Sequence, residues 1–112
     1  MKLTLRDTPV LTVWDTYQLG GITLRLVSSF TEEPYATATV RTSDTEYLPP
    51  YSAFIKDYSE NAGMVAALSR AGIIEGAPVA EHSSGFVKIF AYRFTAEAIA
   101  ELIEQTQENQ NG

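Results

Sequence analysis

The chain has 112 residues, the size of one domain with a core that needs no covalent staples. Hydrophobic residues make up 45% and aromatics 11%, which excludes a chain disordered throughout, and the absence of cysteine excludes disulfides, thiolate metal sites and thiol nucleophiles together. A net charge of −6, from 14 acidic and 8 basic residues, repels phosphate backbones, so direct nucleic-acid binding is not expected, whereas a basic protein surface would be attracted.

The first twenty residues carry Lys2, Arg6, Asp7 and Asp15 and contain no unbroken apolar run. A cytoplasmic protein with neither signal peptide nor membrane span is expected. Strands are predicted over 12–19 and 22–30, flanking Gly20-Gly21, a two-residue hairpin signal because both positions tolerate positive φ. Ile22, Leu24 and Leu26 alternate with Thr23 and Arg25, the period of a half-buried strand. After a turn at 31–34, a strand over 35–41 turns Ala36, Ala38 and Val40 inward, and Tyr35, Thr37, Thr39 and Arg41 outward. These three strands read as an antiparallel meander.

Pro49-Pro50 breaks regular structure, and a short extended piece at 53–55 follows. A helix is predicted over 60–71, capped by Ser59 or Asn61, ended by Gly72, and turned inward on Met64, Val65 and Leu68. The stretch 86–94 is apolar on both sides, with Phe86, Phe90, Tyr92 and Phe94 on one face, so it reads as a central strand. Thr95 then caps a last helix from 96 to about 105, with Ile99, Leu102 and Ile103 inward. Residues 105–112 have no apolar side chain, so a domain over 1–106 and a disordered tail over 107–112 are expected. The order of elements predicts an α+β fold: an antiparallel sheet, made of the N-terminal meander and a later central strand, with two helices on one face.

Candidate chemistry is sparse. His82, the only histidine, lies beside Ser83 and Ser84, but adjacent residues do not form triad geometry, and a solvated loop is expected there. One histidine among scattered carboxylates lacks metal-ligand spacing, and Gly20-Gly21 precedes a strand rather than a helix, so no metal, cofactor, phosphate loop or catalytic residue is predicted. On the last helix, Glu97, Glu101, Glu104 and Glu108 fall in one stripe at 100° per residue. Such a row can mimic phosphates and dock in a cationic groove, or be a plain solvated face. Tyr47, Tyr51 and Tyr58 around the prolines suit a protein interface, or pin the loop to the core. Arg25, Tyr35 and Arg41 on the outer sheet face could take an anionic ligand, or be a wet face of good strand formers.

The segments Pro34-Tyr35-Ala36-Thr37, Phe54-Ile55-Lys56-Asp57-Tyr58-Ser59-Glu60-Asn61, Ala71-Gly72-Ile73-Ile74, Ser84-Gly85-Phe86 and Tyr92-Arg93-Phe94 occur in that order. They resemble a family of short uncharacterised bacterial proteins, a domain of unknown function often carried on mobile genetic elements, over about residues 23–103. The resemblance implies no activity or cofactor. It implies a context in which small proteins modulate host machinery, including nucleic-acid-handling defence. The expectation is a non-enzymatic acidic protein that docks on a protein partner through Glu97, Glu101 and Glu104 or Tyr47, Tyr51 and Tyr58, as an inhibitor of the anti-CRISPR or anti-restriction type. The alternative is a small anionic-ligand module on the Arg25/Arg41 face.

Overall fold

The computed structural model describes the backbone of residues 1–111 and side chains through Gln107. Strand β1 (Lys2–Leu5) turns directly into β2 (Thr8–Thr16), with Leu5 opposite Thr8. Arg6 and Asp7 make the two-residue turn, both at positive φ (49° and 65°), the backbone that matches strand twist. Leu3, Leu5, Val10 and Trp14 point inward and alternate with more exposed neighbours. Strand β2 covers residues 12–16 of the expected first strand, and β1 lies N-terminal to it.

Between β2 and β3 (Ile22–Ser28) the connection has five residues, closed by the Tyr17 N–H on the Gly21 carbonyl at 2.8 Å. Gly20 and Gly21 take φ of 95° and 100° within it, so the glycines do turn the chain, in a longer loop than two residues. Leu24 and Leu26 are buried, as their alternation predicts. The predicted strand over 35–41 divides: β4 (Pro34–Thr37) completes a four-stranded meander in the order β1-β2-β3-β4, while β5 (Thr39–Val40) belongs to a second sheet. Ala38, fully buried, is the crossing point. Thr39, expected outside, is buried because its Oγ1 accepts the Leu24 N–H at 3.1 Å, a bond the next strand would otherwise supply.

The second sheet runs β5-β6-β8-β7, from β6 (Ser52–Ile55), β8 (Val87–Phe94) and β7 (Ile74–Ser84). All four β6 residues are buried, and β8 is interior, as its two apolar faces require. The long edge strand β7 occupies what the sequence presents as a loop, and its register against β8 shifts between Glu75 and Ala80, around Gly76 and Pro78. Phe86, assigned to the apolar face of the strand, instead sits fully exposed in the Gly85-Phe86 turn, because Ser84 and Val87 already pair across it.

The helix predicted over 60–71 is shorter. A 3-10 turn at Ser59–Asn61 is cut from α1 (Met64–Arg70) by Gly63 at φ 94°, and the Asp57 carboxylate, not Ser59 or Asn61, caps α1 by accepting the Gly63 and Met64 N–H groups at 2.6 and 2.9 Å. Met64, Ala67 and Leu68 face β1 and β7. Helix α2 (Ala96–Asn111) starts at Thr95, whose Oγ1 accepts the Ala98 N–H at 3.2 Å. The expected disordered end, 107–112, falls from residue 108 onward outside the residues whose side chains are described. The buried face of α2 is Ala98 and Leu102; Ile103 is 40% exposed, so the helix is turned by about one residue from the expected 99-102-103 face.

The fold is α+β, with two four-stranded antiparallel sheets and two helices. One large core lies between them, with Trp14 and Phe94 edge-to-face at 4.9 Å, and a small one of Phe54, Ile89 and Ala91 lies on the outer face of the second sheet. No helix among the described residues is long and apolar enough to cross a membrane.

Candidate functional site

The small core is closed by the segment 41–51. Thr42, Asp44 and Thr45 form a turn: the Thr45 hydroxyl accepts the Thr42 N–H at 2.8 Å, and the Thr42 hydroxyl accepts that of Asp44 at 3.1 Å. A 3-10 turn, Thr45–Tyr47, follows, and Leu48 drops onto the Phe54, Ile89 and Ala91 cluster. The far end is pinned where the Ser52 hydroxyl donates to the Pro49 carbonyl at 2.6 Å, and where the Phe94 N–H donates to the Tyr51 carbonyl at 3.0 Å. Pro49-Pro50 restricts the chain between these points.

His82 fastens the same segment from below. It is not in a solvated loop: it stands on β7, half-buried and edge-on to the Phe54 ring at 6.0 Å, and its Nδ1–H donates to Asp44 Oδ2 at 2.6 Å. Ser83 lies on the opposite face of the strand and Ser84 two residues along; among the described residues neither hydroxyl bonds to the ring. This pair links residues 38 apart in sequence, and it holds a loop rather than a nucleophile.

With its backbone fixed and Leu48 inside, the segment turns Tyr47 and Tyr51 outward, 77% and 45% exposed. Tyr58, the third tyrosine expected here, is half-buried against the small core, with Lys56 Nζ 5.5 Å from its ring centre. The neighbouring loop 17–21 meets the segment. Arg41 donates to the carbonyls of Gly20 and Leu19 at 3.2 and 3.1 Å, and exposed Leu19 stands beside it. A Cβ on Gly21 would lie 2.8 Å from the Thr45 side chain, so the approach of these two loops needs glycine.

The glutamate stripe does not hold as one face. Glu97 and Glu104 are exposed, but Glu101 turns inward and accepts hydrogen bonds from the Met1 amine, the Thr12 hydroxyl and Trp14 Nε1, the last at 2.6 Å. Gln105 extends the seam by accepting the Trp14 N–H at 2.7 Å. Burial alone would push the Glu101 carboxyl up, but these bonds outweigh it and hold it below its ordinary value. Glu108 lies outside the residues whose side chains are described.

Arg25 and Arg41 do not share a site, although Tyr35 borders the grooves of both. Arg25 and Tyr35 line a groove of about 460 Å³ with Val13, Val27 and Glu32, whereas Arg41 lines another, of about 510 Å³, on the far side of Tyr35, with its guanidinium already committed to the 17–21 loop. Among the described residues no group of three or more His, Asp or Glu is placed to hold a metal ion. The arrangement best organised for recognition is therefore the 41–51 platform. Comparison with known proteins finds no matching family model, no matching curated protein and no matching solved structure.

Proposed function

We propose that the protein works without catalysis, by docking on a protein partner through the platform of Tyr47 and Tyr51, flanked by Leu19 and Arg41. The observation that carries this reading is a loop fixed at both ends and latched by His82 while its tyrosines point to solvent. Exposed tyrosines on a pre-ordered backbone lose little conformational freedom on binding and bury large area, the pattern of interface anchors. The net charge of −6 favours a partner with a basic surface, and the resemblance to mobile-element proteins suggests which: a cytoplasmic nucleic-acid-handling defence complex that the protein inhibits.

The test is affinity capture from bacteria that carry such complexes, with the parent protein and a Tyr47→Ala/Tyr51→Ala variant. The parent should retain a nucleic-acid-handling protein that the variant loses, with both melting at the same temperature. Equal capture by the two proteins would move the contact off this loop.

A further inference from the structure

We propose that the groove between β1 and α1 is an anion site for a small phosphorylated molecule of nucleotide size. The groove encloses about 500 Å³, within the range of small-ligand sites. Leu3, Ala67 and Ala71 form its floor; the two alanines, one helical turn apart, leave the space open. Around it stand Lys2, Arg6 and Arg70, three of the chain's eight basic residues, with Asp7 the single carboxylate in the lining among the described residues.

These cations are not consumed by ion pairs. Among the described residues neither Lys2 nor Arg70 is paired, while Lys56 and Lys88 are held by Glu60 and Glu81. Arg6 donates through Nη2 to the carbonyls of Glu60 and Ala62, which fixes the guanidinium, and its other nitrogens have no partner among the described residues. The backbone adds donors. Leu3 and Leu5 pair with Val10 and Thr8 on either side of Thr4, so Lys2 and Thr4 turn their N–H groups away from β2 toward the open edge of the sheet.

Three like charges around one groove repel, and a phosphate among them replaces repulsion with charge-assisted hydrogen bonds. The uncharged part of the ligand would lie over the alanine and leucine floor. A polynucleotide fits less well, since a phosphate backbone leaving the groove would run along a surface with excess carboxylate. None of these residues belongs to the 41–51 platform, so the proposal stands or falls independently of it.

Thermal unfolding of the full chain with pyrophosphate or ATP, at constant ionic strength and without magnesium, tests the site. At ligand about ten times above Kd, the melting temperature should rise by roughly 5 °C. A Lys2→Gln/Arg70→Gln variant, with both changes at exposed positions, should lose most of that rise, and Arg25→Gln should keep it. No rise for the parent, an equal rise for the double variant, or loss of the rise in Arg25→Gln would overturn the proposal. A rise with a short single-stranded DNA but with neither pyrophosphate nor ATP would also overturn it, in favour of a polynucleotide ligand.

Discussion

The protein buries apolar side chains in two places that are closed in different ways. The large core draws residues from both sheets and both helices, so many elements seal it together. The small core has three buried side chains, and Leu48 of the 41–51 loop, Tyr58 and residues at the strand margins close over it. Cores of the first kind fail only when the whole domain unfolds, while those of the second kind can open locally. The contrast places the fold's stability at Trp14 and Leu68, and the surface proposed for recognition over Phe54 and Ile89. It also separates two polar fastenings: Glu101 ties α2 to β2 at the margin of the large core, and His82 with Asp44 ties a surface loop to an edge strand.

The largest effect is expected at Trp14. Trp14→Ala removes the edge-to-face contact with Phe94 and the bond to Glu101, and should cost about 3–5 kcal/mol of global stability in urea unfolding. A loss under 1 kcal/mol would mean that the large core is not the determinant of the fold. Leu48→Ala, at a half-buried site, should cost about 2 kcal/mol. Its signature is local: amide exchange should speed up through 41–51 while β2 and β3 stay protected. Uniform acceleration would erase the distinction between the two cores.

Glu101→Gln should cost about 1–2 kcal/mol at pH 7, since a partly exposed carboxylate with three donors is exchanged for a neutral amide. The carboxyl lies below its unfolded value, so its contribution is full above about pH 4.5 and fades as pH falls through the lower folded value. The difference between parent and variant should therefore shrink on acidification below that pH, and a gap that widens there would contradict the seam. The smallest effect belongs to Glu97→Gln/Glu104→Gln, within about 0.5 kcal/mol of the parent. That variant should also keep the partner proposed for Tyr47 and Tyr51; losing it would return the interface to α2.

Much of the fold is legible because local pattern and tertiary role agree. The alternation at Leu24 and Leu26, the Met64–Leu68 stripe, the Thr95 cap and the doubly apolar β8 all mark what packing enforces. What escapes is set by distant partners. The α2 face is turned because Glu101 finds donors some ninety residues away, and hydrophobic spacing carries no trace of that. Arg6-Asp7 reads as no turn because neither residue is glycine or asparagine, yet the flanking strands impose positive φ on both. Strand β7 escapes because most of its side chains face water. At the candidate surface, the tyrosines are visible in the sequence, but Tyr58 differs from Tyr47 and Tyr51 only in where the chain folds back. The His82–Asp44 fastening has no local signature at all.

The register slip in β7 has a consequence for behaviour at high concentration. An eleven-residue strand at the margin of a sheet offers a ladder on which copies of the same chain can stack. Pro78 removes one rung, Gly76 takes a φ of 76°, and Glu75 and Glu81 bring like charges to either side of the slip. The longest strand in the molecule is thus a poor template for fibre growth, and replacing Pro78 and Gly76 with valine should convert it into a good one.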